Sequence, residues 1–157
     1  MLPAWCDFQL LLEQASSRLN NEGLFVFSSF GPDTMNEVTR AWALVDDYQH
    51  VHRFVDMHDL GDAMLRSGLA CPVVDTEWMN FLYPDYQTLA RDLRAGGFSN
   101  IHHDRRKSLT GKALFARFME NFRRCVSENG GTISFEYIYG LGFIQDRSSV
   151  KVQPPQL

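Results

Sequence analysis

The chain has 157 residues, 45% of them apolar and 22% charged, the make-up of one soluble globular domain with a sizeable core. Fifteen basic against nineteen acidic side chains leave a formal charge of −4, which argues against a dedicated nucleic-acid binder. No apolar run approaches the roughly 18 residues of a membrane helix, Met1–Asp7 lacks the layout of a signal peptide, and Cys6, Cys71 and Cys125 are too few and scattered for a disulfide framework; a cytoplasmic protein is expected, with no nucleic-acid or membrane partner.

The pattern predicts a first helix over Asp7–Asn21. Asp7 caps it, and Leu10, Leu11, Leu12, Ala15 and Leu19 form its apolar stripe. Gly23 releases the chain into a strand, Leu24–Phe30. Its four leading apolar residues predict burial on both faces, as in the middle of a parallel sheet. After Gly31-Pro32, Asp33 is the expected N-cap of a second helix with Met35, Val38, Ala41, Trp42 and Val45 inward. A polar stretch leads to a third helix, Met57–Ser67, with Leu60, Met64 and Leu65 inward and Gly68 at its end.

Val73–Tyr83 reads as a long strand stopped by Pro84, and Asp85–Ala95 as a fourth helix closed by Gly96-Gly97. Ser108 or Thr110 caps a fifth helix that runs to about Ser127. Asn129-Gly130-Gly131 turns the chain into a last strand, Thr132–Ile144, able to return antiparallel. The tail 148–157, with Pro154-Pro155, reads as disordered, which leaves 1–147 as the folded domain. The order α-β-α-α-β-α-α-β defines an α/β fold. It combines one parallel strand with two further strands, one of them antiparallel, and helices on both faces.

Several segments together resemble a known family. They are Leu2-Pro3-Ala4-Trp5-Cys6-Asp7, Gly23–Thr34 with its Ser28-Ser29-Phe30-Gly31-Pro32-Asp33, and His50-Val51-His52-Arg53-Phe54-Val55-Asp56-Met57-His58-Asp59. Tyr83-Pro84-Asp85, Asp92–Gly97, Leu109-Thr110-Gly111 and Ser134–Gly140 follow in the family's order. In these segments the chain resembles the C-terminal part of class I methyltransferases that use S-adenosyl-L-methionine (SAM), above all those that O-methylate malonyl-acyl-carrier protein in biotin synthesis. The resemblance implies a Rossmann-like sheet with an inserted helical lid. It implies SAM as cofactor, malonyl-acyl-carrier protein as partner, and a chain that starts just after the family's fourth strand. Leu2, Pro3 and Trp5 would then line the cofactor. The glycine-rich loop that opens such cofactor sites has no counterpart here, since Gly140-Leu141-Gly142 lies within a strand.

Methyl transfer to a carboxylate needs alignment and exclusion of water, with no general base, because a carboxylate is already ionised at neutral pH. No catalytic side chain is therefore expected beyond positioning groups. Arg53 is the first candidate for the substrate carboxylate, because a guanidinium fork matches a carboxylate. His52, Phe30 and Ser29 border the same place, with Ser28 beside them. The bland alternatives are an ion pair of Arg53 with Asp56 or Asp46, and serines that satisfy a strand end. A metal held by His50, His52 and His58 with Asp56 or Asp59 has no standard spacing, and no metal is expected.

Arg105, Arg106 and Lys107, with Arg123 and Arg124, form a candidate docking face for an acidic carrier protein, against the plainer reading of a solvated charged face. Arg91 and Arg94 carry the same ambiguity. Leu24–Phe30, as an apolar edge, predicts a homodimer or pairing with a missing N-terminal half. Two alternatives remain open. One is a relative acting on another substrate, as complex I assembly factors do. The other is a non-catalytic carrier-binding or partner-binding module without the cofactor half.

Overall fold

The computed structural model describes residues 7–98, 100 and 102–144. Leu2, Pro3 and Trp5 of the expected cofactor group, and the tail 148–157, lie outside them. The elements run α1 (Phe8–Arg18), β1 (Leu24–Phe30), α2 (Asn36–Ala43), α3 (Met57–Arg66), β2 (Leu69–Leu82), α4 (Tyr86–Ala95), α5 (Lys112–Glu128) and β3 (Thr132–Ile144). This is the order expected from the hydrophobic pattern.

The sheet has three strands in the order β1-β3-β2, and β3 runs antiparallel to both neighbours. β1 and β2 therefore point the same way without touching. No parallel pair forms among the described residues. Long connections carry the chain from β1 across β3's position to β2, and again from β2 to β3. A bulge between Ala70 and Val73 puts Cys71 at φ 50 and lets β2 begin at Leu69, four residues before the pattern indicated.

Period-2 alternation sorts the strands onto two faces. On one face Phe27, Ile138, Ile144 and Leu69 pack against Phe8 and Leu12 of α1 and Leu60, Ala63 and Met64 of α3. On the other, Phe30, Ile133 and Phe135 pack against Met35, Val38 and Trp42 in and beside α2, Leu89 of α4, and Phe118, Phe122 and Cys125 of α5. A Cβ at Gly140 would overlap the Phe27 ring, so this glycine lets a large side chain cross the neighbouring strand.

Several expectations are corrected. The α1 stripe is Phe8, Leu12 and Ser16, and Leu10 is exposed. The phase is set by Asp7, whose side chain accepts the Leu10 N–H and starts the helix there. Asp33 does not cap α2. The cap position is Met35 at φ 57, and three turn residues precede it. In α3 Leu65 is exposed and Ala63 takes the inward place. α5 begins after Gly111 rather than at Ser108 or Thr110.

β1 is not buried on both faces. Leu24 is 50% and Val26 62% exposed, because the helices on that side cover only the Phe30 end of the strand.

Candidate functional site

The carboxyl ends of β1 and β2 and the start of β3 share one edge of the sheet. In open α/β sheets ligands bind at that edge. The loop leaving β1 there is clamped to β3 through its main chain. Gly31 N–H donates to the Glu136 carbonyl at 2.9 Å, and Met35 N–H to the Ser134 carbonyl at 2.8 Å. Asp33 N–H donates to Glu136 Oε2 at 2.9 Å. Thr34 Oγ1 donates to the Glu136 carbonyl and accepts the Glu136 N–H. A Cβ on residue 31 would overlap the Glu136 carboxyl, so a larger residue there would have to displace that side chain and its bond from Asp33.

Glu136 is buried, and burial pushes its carboxyl up. The like charges of Asp33 and Asp56 push the same way, and the Asp33 N–H opposes them. A second buried carboxylate, Glu37, ties α2 to β3. It accepts the Ser134 N–H and hydroxyl at 3.1 and 2.7 Å and the Asn129 amide at 2.8 Å. The loop therefore rests on two buried acids whose bonds replace lost hydration.

Beside this loop, Phe30 sits in an aromatic nest. Its centroid lies 5.0 Å from Phe98 and from Tyr137, and 5.5 Å from Phe54. His52 borders the nest, 6.1 Å from Phe54 and 6.3 Å from His102. Arg53, one residue on, is exposed, and none of the ion pairs or side-chain hydrogen bonds of the described residues includes it. The pairings weighed for it are taken. Asp56 holds His58 at 2.9 Å, and Asp46 holds His50 at 2.7 Å and Arg106 at 3.1 Å.

The Asp46 network forms the wall behind these residues. Burial alone would raise the Asp46 carboxyl, but its bonds from His50, the Tyr48 N–H and Arg106 outweigh that and hold it low. His50 stacks on Trp42 at 3.7 Å with the planes 6° apart, and Trp42 stacks on Phe118 at 4.2 Å. Asn100 donates to the Gln49 carbonyl and Gln49 N–H to the Asp104 carbonyl, which joins the 100–106 loop to the His50–Phe54 segment.

No family model matches the chain. Curated relatives do. A malonyl-[acyl-carrier protein] O-methyltransferase of Nitrosospira multiformis is 39% identical over 137 residues, 87% of this chain and 45% of the relative. One of Gallionella capsiferriformans is 37% identical over 137 residues, 87% of this chain and 47% of the relative. Malonyl-[acyl-carrier protein] O-methyltransferase 1 of Coxiella burnetii is 37% identical over 146 residues, 92% of this chain and 51% of the relative. The chain is homologous to these methyltransferases. It spans about half the length of the relatives it matches.

Against that family, the loop leaving β1 offers no free backbone cradle for a nucleotide-like cofactor. The N–H groups that leave β1 are spent on protein acceptors: Gly31 and Asp33 on Glu136, Thr34 on the Gly31 carbonyl, Met35 on Ser134. The described residues thus do not by themselves fit a complete SAM site.

The structure brings Phe30 and His52 together at Phe54, whereas Ser29 points to the opposite face of β1, beside Ile138, and Arg53 follows His52 at the surface. Phe30 and Ser29 are buried, His52 is partly buried, and Arg53 is exposed. Ser29 Oγ has the Phe30 carbonyl at 3.4 Å and faces the covered side of β1. The five candidate docking cations separate. Arg105 and Lys107 are exposed before α5, and Arg123 and Arg124 are exposed near its far end. Lys112 and Arg123 alone are about 16 Å apart along a helix rising about 1.5 Å per residue. Arg106 turns inward to Asp46, and its guanidinium lies 5.5 Å over the Tyr48 ring. His50 and His58 pair with different aspartates, and no group of three or more potential metal ligands gathers among the described residues.

Glu136 received no role from the sequence. The available signal was a carboxylate at an inward-facing position between Phe135 and Tyr137 of a strand.

Proposed function

We propose that this chain is the acceptor-side part of a methyltransferase acting on the free carboxylate of malonyl-acyl-carrier protein in biotin synthesis. The similarity to relatives of that name, at 31–39% identity, carries the reading. In it the three-stranded sheet is the C-terminal end of a Rossmann-like sheet, and the α2–α3 segment is the lid. The SAM site belongs mainly to the other half of the relatives' length. The exposed edge of β1 is where that half, or a second copy of this chain, joins. The reaction is placed in the cytoplasm, where Cys71 and Cys125 stay reduced.

Arg53 binds the malonyl carboxylate through its unpaired fork, His52 and the Phe30 nest keep water from it, and Ser29 sets the strand end beneath. Exposed Arg105, Lys107 and Arg124 steer the acidic carrier. A carrier-binding module without catalysis is the second reading, favoured by the loop whose N–H groups are already spent on Glu136.

Titration calorimetry of the chain with malonyl-carrier and with unacylated carrier tests this. The expected result is tighter binding of the malonyl form, weakened about tenfold by Arg53→Gln at unchanged melting temperature. Equal affinity for the two carriers, or none for either, would sink the assignment. SAM binding by this chain alone would overturn the division of the site.

A further inference from the structure

We propose that the cavity between α4 and α5 binds a monomeric amphipathic carboxylate, its chain among the aromatic walls and its head on Arg123. The cavity holds about 620 Å³, within the range of small-ligand sites, about 300–1,000 Å³. It lies where β2 ends and β3 begins, at the same ligand-side edge of the sheet as the Phe30 loop but on the far side of β3 from β1.

Its walls are Tyr83, Tyr86, Met119, Phe122, Val126 and Ile133. Burial pushes both phenols up, so they remain protonated at neutral pH and act as hydrogen-bond donors. Arg123 is the one cation among the lining residues. It is exposed and takes part in none of the ion pairs of the described residues. The one lining carboxylate, Asp85, is spent as the N-cap of α4, where it accepts the Thr88 N–H at 2.7 Å. An anion entering the cavity thus meets a guanidinium that joins no ion pair among the described residues, while Asp85, still ionised, keeps its carboxylate at the first turn of α4.

The same geometry argues against a phosphate or nucleotide. Gly130 and Gly131 line the rim, yet their N–H groups close α5 by donating to the Ser127 and Val126 carbonyls. No backbone cradle is left for several oxygens. One planar fork at the rim of a half-open cavity, with apolar walls on one side, matches one carboxylate on an apolar chain.

This inference stands independently of the carrier reading. The test titrates the full chain with dodecanoate, kept monomeric, and with dodecanol, followed by amide chemical shifts. Dodecanoate is expected to shift Phe122, Val126 and Gly131, and Arg123→Gln to weaken it about tenfold while leaving dodecanol unaffected. Ser127→Trp, a substitution at an exposed position on the rim, is expected to abolish both at native circular dichroism. Shifts centred instead on Val26 and Leu141, or equal dodecanoate affinity in wild type and Arg123→Gln, would overturn the assignment.

Discussion

The two faces of the sheet are built from similar strand residues and end differently. On the α1–α3 face, apolar side chains from Leu69 to Ile138 meet helices, while Trp78 and Leu82, on the same face toward the other end of β2, stay 55 and 77% exposed. On the opposite face, α2, α4 and α5 seal only the end around Phe30, Ile133 and Phe135. Toward the other end, Leu24, Val26, Val73 and Phe143 remain 50, 62, 54 and 43% exposed. Cross-strand register puts these four on one surface, since Leu24 and Ala70 flank Phe143, and Val26 and Val73 flank Leu141. In the proposed reading this exposed apolar patch is where the other half of the relatives' length, or a second copy, joins. Phe30 and His52 lie at the sealed end, beside the buried acids Glu37 and Glu136 and the stacked Trp42 and His50.

Substitutions that separate the sealed end, the opposite face and the bare patch sharpen this contrast. Phe118 is fully buried and packs on Trp42 and Tyr86, so Phe118→Ala should cost about 4 kcal/mol in urea unfolding. Leu12, fully buried on the other face, should cost about 3 kcal/mol as Leu12→Ala. The two losses should add within about 0.5 kcal/mol, because they lie in separate clusters. A large shortfall from additivity would mean that the two faces form a single packing unit.

Asp46→Ala strands Arg106 and should cost about 2 kcal/mol at neutral pH. The folded state holds the Asp46 carboxyl below its usual value. Its contribution is therefore complete above pH 3.8 and fades as pH falls through the lowered value. Wild type and Asp46→Ala should accordingly converge in acid, and a gap that widens there would refute the role given to this network. The smallest effect belongs to the bare patch. Val26→Lys should change stability by no more than about 0.5 kcal/mol. A loss near that of Leu12→Ala would show that Val26 is covered.

Much of the fold was legible in the chain itself. Hydrophobic periodicity and the glycines at 68, 97 and 131 marked most element boundaries, because helix and strand periods and left-handed turns are local properties, although after α1 the left-handed residue is Glu22 rather than Gly23. The misplaced starts of α2 and α5 have a physical reason. Asp33, Ser108 and Thr110 are good capping residues, but Glu136 claims the Asp33 N–H, β3 carbonyls claim those of Gly31 and Met35, and α5 begins only beyond Gly111. At the site, the sequence singled out Phe30, His52 and Arg53. It left open whether Arg53 was already paired, and it gave Glu136 no role. Both depend on residues distant in the chain.

The sequence by itself determined the elements, the apolar strand Leu24–Phe30 and the kinship with malonyl-carrier methyltransferases, since all three are written in local pattern and residue identity. Tertiary structure alone decided that β3 lies between β1 and β2, that Arg106 turns inward to Asp46 while Arg53 joins no ion pair among the described residues, and that each sheet face is covered toward one end only. These follow from which distant surfaces meet, and burial and charge pairing depend on that meeting rather than on any one segment.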